Sequence, residues 1–179
     1  MRHIVIFMTL LVMVGCSAVD VRQYAENTPK LSLAEYFSGN TRGWGMVQDR
    51  KGRLTRQFVV DITGVIDQQG NLVLEEFFVW NDGERSSRTW TIRPVDEHAF
   101  TGTAADVVGE AAGESYGNAL HWRYSLEVPV DGKSWQIFFD DWMFLQPDEV
   151  LINRTEMRKF GLRVGEVTIV FRKEHHRED

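Results

Sequence analysis

The sequence predicts a mostly β protein, a single antiparallel meander β-barrel with a short N-terminal helix. From residue 42 onward, Gly, Asp, Asn and Pro residues typical of turns recur at short spacing. The segments between them are rich in Val, Ile, Phe, Trp and Thr, and about nine or ten strands fit this pattern. Hairpin connections throughout favour a closed barrel, because closure removes exposed strand edges. A two-sheet β-sandwich is the alternative.

The alternation of apolar and polar residues indicates which face of each strand is buried. The even-numbered residues of one predicted strand are apolar: Leu120, Trp122, Tyr124, Leu126 and Val128. Residues 56–66 and 164–172 alternate in the same way, which indicates one buried face per strand. Residues 135–145, and the end of 72–80, are apolar on both faces. This pattern fits a lipocalin- or calycin-like barrel in which one face lines the interior and a helix, a partner or a membrane covers the other.

The N-terminal helix is predicted from its capping pattern. Pro29 is compatible with a first helical turn, and Ser32 and Glu35 have the spacing of a capping box. Apolar residues follow, and the Ser-Gly-Asn sequence at 38–40 ends the helix. We expect two or three turns lying across one end of the domain.

The first 16 residues have the pattern of an export signal. The basic residue Arg2 precedes an apolar run over residues 4–14, and Gly15 comes directly before Cys16, the one cysteine of the chain. This arrangement predicts a signal peptide in residues 1–15. The apolar run, of about 11 residues, is shorter than the roughly 20 that a transmembrane helix needs. The alternatives are an uncleaved anchor and an ordinary signal peptide in which the cysteine is incidental.

Residues 13–16, Met-Val-Gly-Cys, resemble the bacterial lipobox, with Met13 where a leucine is usual. The resemblance implies that the Cys16 thiol is lipidated, that the signal is removed and that the new amino terminus is acylated. Several acyl chains make a firm anchor. Because Ser17 follows the cysteine where an aspartate would imply retention in the inner membrane, the expected location is the cell envelope, lipid-anchored at the periplasmic face of the outer membrane.

Four segments are predicted: a signal peptide (1–15), a lipidated tether (16–27), a β-barrel domain with its opening helix (28–172) and a charged tail (173–179). Removal of the signal leaves 164 of the 179 residues, enough for one domain with a substantial core. The net charge of −6 becomes −7 when Arg2 is removed with the signal. This acidity argues against a nucleic-acid partner and against docking on anionic lipid by charge alone.

The sequence offers few groups for catalysis or metal binding. The cysteine is assigned to lipidation, and no Gly-x-Ser-x-Gly motif is present. His175 and His176 lie in the charged tail, and His121 is on the polar face of a strand, where we expect solvent exposure. Asp140 and Asp141 are adjacent on a strand and point to opposite faces, which excludes them as the paired carboxylates of a glycosidase. No catalytic residue, metal site or cofactor is predicted.

Asp141 is the main candidate for a functional polar group. It shares its predicted face with apolar residues, and a carboxylate in such surroundings needs a partner. Arg154, on the next predicted strand, is expected to form a structural ion pair with it. Alternatively, Asp141 holds a ligand headgroup, since apolar pockets contain a few such fixed polar groups. The glycine-rich residues 102–117 are predicted to form a curved, closely packed strand and loop, or alternatively a flap at the barrel mouth.

Short motifs throughout the chain resemble those of an uncharacterised family. They are Asp106-Val107-Val108-Gly109, Gly117-Asn118-Ala119, Asp141-Trp142-Met143, Asn153-Arg154-Thr155-Glu156-Met157, Lys159-Phe160-Gly161 and Val164-Gly165-Glu166. The set resembles lipoproteins of Gram-negative bacteria that share a domain of unknown function, and it brings no catalytic residues with it. The candidate pocket or buried polar residues are Asp141, Arg154, Asp106, Asn118 and Trp142.

Three functions are compatible with these features. The preferred one is an envelope lipoprotein that binds or shelters an apolar small molecule or lipid, such as an acyl chain. The second is an enzyme, or an accessory to one, that acts on such lipids through Asp141 and Asp106. The third is a structural or assembly lipoprotein whose two-faced apolar strand contacts an envelope protein. In each case the lipid anchor makes the membrane a partner.

Overall fold

The computed structural model describes residues 19–130 and 132–174, and it confirms the predicted meander barrel. Ten strands are present in these residues: β1 Gly39–Asp49, β2 Leu54–Ile66, β3 Leu72–Trp80, β4 Arg85–Pro94, β5 Ala99–Thr103, β6 Ala111–Tyr116, β7 Ala119–Val130, β8 Lys133–Leu145, β9 Val150–Lys159 and β10 Leu162–Glu174. Each strand pairs antiparallel with the next, and β1 also pairs with β10. The sheet therefore closes on itself, and the alternative two-sheet sandwich is excluded.

Alternate residues of the strands point into the barrel, as the sequence pattern predicted. On β2, Phe58, Val60 and Ile62 are at most 6% exposed, and the residues between them face outward. On β7, Leu120 and Trp122 are buried in the same way. Their apolar side chains belong to the large cluster of the interior core, and a smaller cluster contains Leu126, Ile137 and Phe139.

The outer apolar face of β8 is covered in part by a helix, which is one of the three covers that the sequence pattern suggested. On its outer face, Trp142 and Phe144 pack edge-on against Tyr24, with ring centroids 6.1 and 5.3 Å away. Tyr24 belongs to a 3-10 helix, Val21–Tyr24, that lies against the outside of β6 and β7 as well. A helix therefore covers the outer apolar residues at this end of β8, whereas Phe138, nearer its start, is 36% exposed.

A short helix, α1 (Leu33–Phe37), closes one end of the barrel. The Ser32 side chain caps it by accepting from the Glu35 backbone N–H at 3.4 Å, as predicted. Leu33 and Phe37 project into the barrel interior and are buried. The helix has five residues rather than the expected two or three turns, because it begins at Leu33, after the cap, and gives way to β1 at Gly39.

We call the end that carries α1 the closed end. The opposite end, the mouth, is formed by the turns that precede β2, β4, β8 and β10 and by the loop 104–110. A second 3-10 helix, Pro147–Glu149, lies at the closed end between β8 and β9. The five connections at the mouth alternate along the chain with four at the closed end, so every strand runs between the two ends.

The chain around the predicted tether and tail is more ordered than the sequence suggested. Val21, in the predicted tether, is 2% exposed. β10 extends to Glu174, and the Lys173 ammonium donates to the Tyr36 and Ser38 carbonyls at 3.2 and 3.0 Å. The predicted signal peptide, Cys16 and the last residues of the predicted tail lie outside the described residues. No helix among the residues described is long and apolar enough to cross a membrane.

Candidate ligand-binding site

The barrel interior contains a cavity of about 640 Å³. Its walls are mainly apolar and include Phe58, Val60, Leu74, Phe78, Trp90, Trp122, Leu126, Phe139, Met143, Val167 and Ile169. Leu33 and Phe37 of α1 form its floor at the closed end. The volume lies within the range of about 300–1,000 Å³ that is usual for small-molecule sites.

One group of polar side chains interrupts this apolar wall. We call it the lumenal polar cluster; it comprises Glu76, Arg88, Asp106, Tyr124 and Asp141. Glu76 on β3 lies opposite Arg88 on β4, and Tyr124 and Asp141 come from β7 and β8. Asp106 reaches the same region from the loop 104–110.

Arg88 is engaged mainly by Asp106. Its Nε lies 3.0 Å from Oδ1 of Asp106, and its Nη2 lies 2.6 Å from Oδ2, which makes the pair bidentate. The loop is held in place by β7, since the Val108 N–H donates to the Ser125 carbonyl at 2.9 Å. Glu76 is a weaker partner, with Oε2 3.8 Å from Nη1 of Arg88. The guanidinium therefore compensates one carboxylate well and a second one poorly.

Asp141 is 4% exposed, and only one of its oxygens has a close donor. Oδ2 accepts from the Tyr124 hydroxyl at 3.0 Å, whereas Oδ1 has no donor in hydrogen-bonding geometry. Burial raises the pKa of Asp141 to about 6, although the nearby Thr155, Tyr124 and Asn153 side chains act in the opposite direction. Asp141 is thus a buried acid with an unused acceptor facing the cavity.

Glu76 has a similar environment. Burial raises its pKa to about 7; the charge of Arg88 opposes the rise, and the charges of Asp106 and Asp141 add to it. Its Oε2 is also buried without a hydrogen-bond donor. Burial likewise raises the pKa of Tyr124 well above its usual value, so this phenol stays protonated and donates. The cluster therefore contains more acidic than basic groups and two acceptors that lack donors.

The prediction of an ion pair between Asp141 and Arg154 is wrong. Asp141 lies directly opposite Thr155 in the β8–β9 register, so Arg154 points to the outside of the barrel. There its Nε lies 2.9 Å from Oε1 of Glu166, and its side chain is 70% exposed. Arg154 is one residue away from Thr155, the true partner of Asp141. Neighbouring residues on a strand point to opposite faces of the sheet.

Two other candidates also lie away from the cavity. Trp142 is on the outer face, where its ring stacks on His121 with centroids 4.1 Å apart. His121 itself is 15% exposed, contrary to expectation, because it also contacts Asp140, with Nε2 2.5 Å from Oδ1. Asn118 lies at the closed end and donates to the Leu145 carbonyl at 3.0 Å. Of the predicted residues, the structure brings together Asp141 and Asp106.

The residues that sequence reasoning missed are Glu76, Arg88 and Tyr124. Glu76 interrupts an apolar set on β3, Leu72, Leu74, Phe78 and Trp80, in the same way that Asp141 interrupts the set on β8. A charged residue at an inward position was therefore the available signal for Glu76. The pairing of Arg88 with Asp106 joins a strand to a loop 18 residues away. The alternation of apolar and polar residues along a strand does not predict such a contact.

The glycine-rich segment has the close packing that was expected of it. The Trp122 ring fills the space beside Gly102 and Gly113, where an added Cβ would lie 2.7 and 2.3 Å from ring atoms. The Trp122 indole of β7 therefore packs directly on the backbone of β5 and β6. Among the described residues there is also no group of three or more His, Cys, Asp or Glu side chains placed to hold a metal ion.

The fold and its cavity define a lipocalin-type barrel with an interior large enough for a small molecule. The chain belongs to the DUF3833 family, a protein family of unknown function, whose sequence profile matches residues 10–173. No curated protein shows significant sequence similarity to it.

Solved structures similar to this barrel include the following two. One is a protein of unknown function from the DUF3598 family of Nostoc punctiforme, with a TM-score of 0.61 and 17% identity over 82% of this chain and 51% of that one. The other is the S-type phycobiliprotein lyase CPES from Guillardia theta, with a TM-score of 0.56 and 8% identity over 79% of this chain and 90% of that one. The chain spans about half the length of the first protein. At these identities, both likenesses concern the fold alone.

Proposed function

We propose that this protein binds an apolar small molecule, such as a lipid acyl chain, inside the barrel. The observation that carries the proposal is the cavity of about 640 Å³, enclosed by apolar side chains and floored by α1. Burial of apolar ligand surface in such a site stabilises the complex by about 25 cal/mol per Å². The lumenal polar cluster supplies the few fixed polar groups that orient a ligand.

The mouth is the entrance in this proposal, because α1 occupies the closed end. The residues framing the mouth include Arg56, whose guanidinium lies 3.9 Å above the Trp80 ring. Arg56 also pairs with Asp82 and Glu84, at 2.6 and 2.8 Å. Asp82 and Glu84 lie on the exposed turn between β3 and β4, which can rearrange without disturbing the core, and this supports entry of a ligand from this side.

The comparisons support the proposal at the level of fold. The phycobiliprotein lyase builds its own function on a similar barrel, and its length matches that of this chain. Function is a property of sites rather than of folds, so the nature of the ligand here depends on the residues of this cavity.

Filling the cavity tests the proposal. Ile169 on β10 lines the cavity, whereas the next residue, Val170, is on the outer face and 38% exposed. In a full chain carrying Cys16→Ser, we expect Ile169→Trp to weaken binding of the fluorescent probe N-phenyl-1-naphthylamine by about tenfold or more. The matched Val170→Trp should bind like the parent. Equal probe binding in all three proteins, or none, would overturn the proposal.

We also propose that Cys16 carries the lipid that anchors the protein in the envelope, at the periplasmic face of the outer membrane. The support is the apolar run ending in Gly15-Cys16. In cells fed labelled palmitate, the parent should incorporate label and Cys16→Ser should not. Label that persists in the variant would refute lipidation at this residue.

A further inference from the structure

We infer that the lumenal polar cluster selects a ligand that carries a protonated amine on an apolar chain. This inference rests on the proposed binding function and specifies the chemical class of the ligand. It concerns the polar end of the ligand, whereas the apolar wall determines how the rest is held.

The first reason is the balance of charge. The cluster contains three carboxyl groups, on Glu76, Asp106 and Asp141, and one guanidinium. That guanidinium, on Arg88, is already bound by both oxygens of Asp106. The other basic residue in the described cavity wall is Arg56, which lies at the mouth with its own acidic partners. A ligand carboxylate would therefore meet excess negative charge, and an ammonium would compensate it.

The second reason is the pair of acceptors that lack donors. Oδ1 of Asp141 and Oε2 of Glu76 are buried, and neither has a protein donor in hydrogen-bonding geometry, although the Thr155 and Asn153 side chains lie near Asp141. Buried acceptors of this kind are uncommon in folded proteins, and each calls for a donor. A primary ammonium carries three N–H donors on one compact group. It therefore supplies both charge and donors, whereas a hydroxyl supplies one donor and a carboxylate supplies none.

The cluster is also placed to receive the end of an amphiphile. Glu76 lies between Leu74 and Phe78 on the inner face of β3, and Asp141 lies between Phe139 and Met143 on that of β8. Apolar wall is thus present on both sides of the acids, toward the closed end and toward the mouth. An aliphatic chain finds apolar contacts wherever it leaves the cluster.

The titration of these acids adds a dependence on pH. Glu76 faces Arg88, Asp106, Tyr124 and Asp141, and burial among them raises its pKa to about 7. Burial raises the pKa of Asp141 to about 6. An ammonium favours the ionised form of both acids, so binding releases protons and weakens as the pH falls from 8 to 5.

The test compares three ligands of equal chain length: dodecylamine, 1-dodecanol and dodecanoate. Each would displace N-phenyl-1-naphthylamine from the full chain carrying Cys16→Ser, at pH 8 and below the aggregation concentration of the ligand. We expect dodecylamine to bind about tenfold or more tightly than dodecanol, and dodecanoate to bind most weakly. Lowering the pH to 5 should reduce the preference for the amine.

Substitutions at the acids make the test specific. Glu76→Gln and Asp141→Asn keep the shape of the side chain and remove its charge, so each should lower the preference for dodecylamine over dodecanol. Binding of dodecanol reports whether the barrel of each variant is intact. The matched control is Asp61→Asn, which removes a carboxylate that is 52% exposed on the outer face of β2 and should leave the preference unchanged.

The outcomes separate this inference from the proposed function. If dodecanoate or dodecanol binds as tightly as dodecylamine, the inference is overturned and the binding function stands. If none of the three displaces the probe and Ile169→Trp has no effect on it, the binding function itself fails. A preference for the amine that persists in both Gln and Asn variants would also overturn the assignment to these acids.

Discussion

The two ends of the barrel differ in how their side chains are held. At the closed end, Leu33 and Phe37 are 5% and 4% exposed and belong to the main core. At the mouth, Phe160 on the turn between β9 and β10 is 90% exposed, and Leu162, the first residue of β10, is 73% exposed. Leu33 and Phe37 therefore contribute burial to stability, whereas Phe160 and Leu162 contribute little.

Hydrogen bonds also join the closed end to the barrel. At the closed end the Tyr36 hydroxyl donates to the Glu149 carbonyl at 2.9 Å, and the Leu31 N–H donates to the Gly117 carbonyl at 2.7 Å. Gly64 allows the helix to sit this close, since an added Cβ would lie 1.9 Å from the Phe37 carbonyl oxygen. The comparison teaches that α1 at the closed end is part of the core, whereas the turn that carries Phe160 at the mouth can change without loss of core contacts.

The largest expected effect separates the two ends by stability. Phe37→Ala removes a ring that packs on Tyr36 and Phe171, with centroids 5.0 and 5.9 Å away. It should lower the free energy of unfolding by about 3–5 kcal/mol in urea denaturation followed by circular dichroism. The control Phe160→Ala, at the mouth, should change it by less than about 0.5 kcal/mol. Similar losses in the two variants would contradict the comparison.

The second effect concerns the acids held between the two ends. The pKa of Glu76 in the folded protein, about 7, lies above its ordinary value of 4.5. The folded state therefore binds this proton more tightly than the unfolded state does. The contribution to stability is complete below about pH 4 and is lost as the pH rises through 7, which amounts to roughly 3 kcal/mol.

The measurement is the free energy of unfolding of the parent and of Glu76→Gln at several pH values. The variant should gain stability relative to the parent as the pH rises from 4 to 8. Glu84→Gln, at the mouth, should run parallel to the parent over the same range. If the unfolding free energies of the parent and Glu76→Gln differ by the same amount at every pH, the burial of Glu76 does not raise its pKa.

A smaller effect is expected from the ion pairs at the mouth. Arg56 pairs with Glu84 at 2.8 Å, and their side chains are 33% and 58% exposed. A double-mutant cycle with Arg56→Ala and Glu84→Ala should give a coupling of about 0.2–1 kcal/mol, as is usual for exposed pairs. A coupling of several kcal/mol would mean that the mouth is held as firmly as the closed end.

The smallest effect is the coupling between Asp141 and Arg154. These side chains lie on opposite faces of the sheet, so the changes in unfolding free energy caused by Asp141→Asn and Arg154→Ala should add within about 0.5 kcal/mol. A larger coupling would mean that the two side chains interact, which contradicts the strand register.

The alternation of apolar and polar residues was enough to predict the barrel and the inner faces of strands such as β2 and β7. It failed on β9, where Asn153 is 2% exposed and Ile152 is 38% exposed. Arg154 was paired with Asp141 because it lies on the next strand, and the register places it on the outer face instead. Asp141 was found because it breaks an apolar face, and Glu76 breaks one in the same way.

The rest of the site depends on distances that no local pattern contains. The bidentate contact between Arg88 and Asp106 requires the loop 104–110 to lie along β7, where the Glu127 N–H donates to the Asp106 carbonyl at 2.9 Å. This position depends on the closure of the whole barrel. The burial that raises the pKa of Glu76 also comes from the complete wall, with contributions from strands far away in sequence.

The central claim, that the barrel interior is the binding site, is tested most directly by the methionine methyl groups. Met143 and Met157 line the cavity, whereas Met46 is on the outer face and 38% exposed. With methyl-labelled methionine in the full chain carrying Cys16→Ser, titration with dodecylamine followed by NMR should shift the Met143 and Met157 signals in a saturable way and leave Met46 unchanged. Shifts at Met46 without shifts at Met143 and Met157 would place the ligand on the outer surface and contradict the claim.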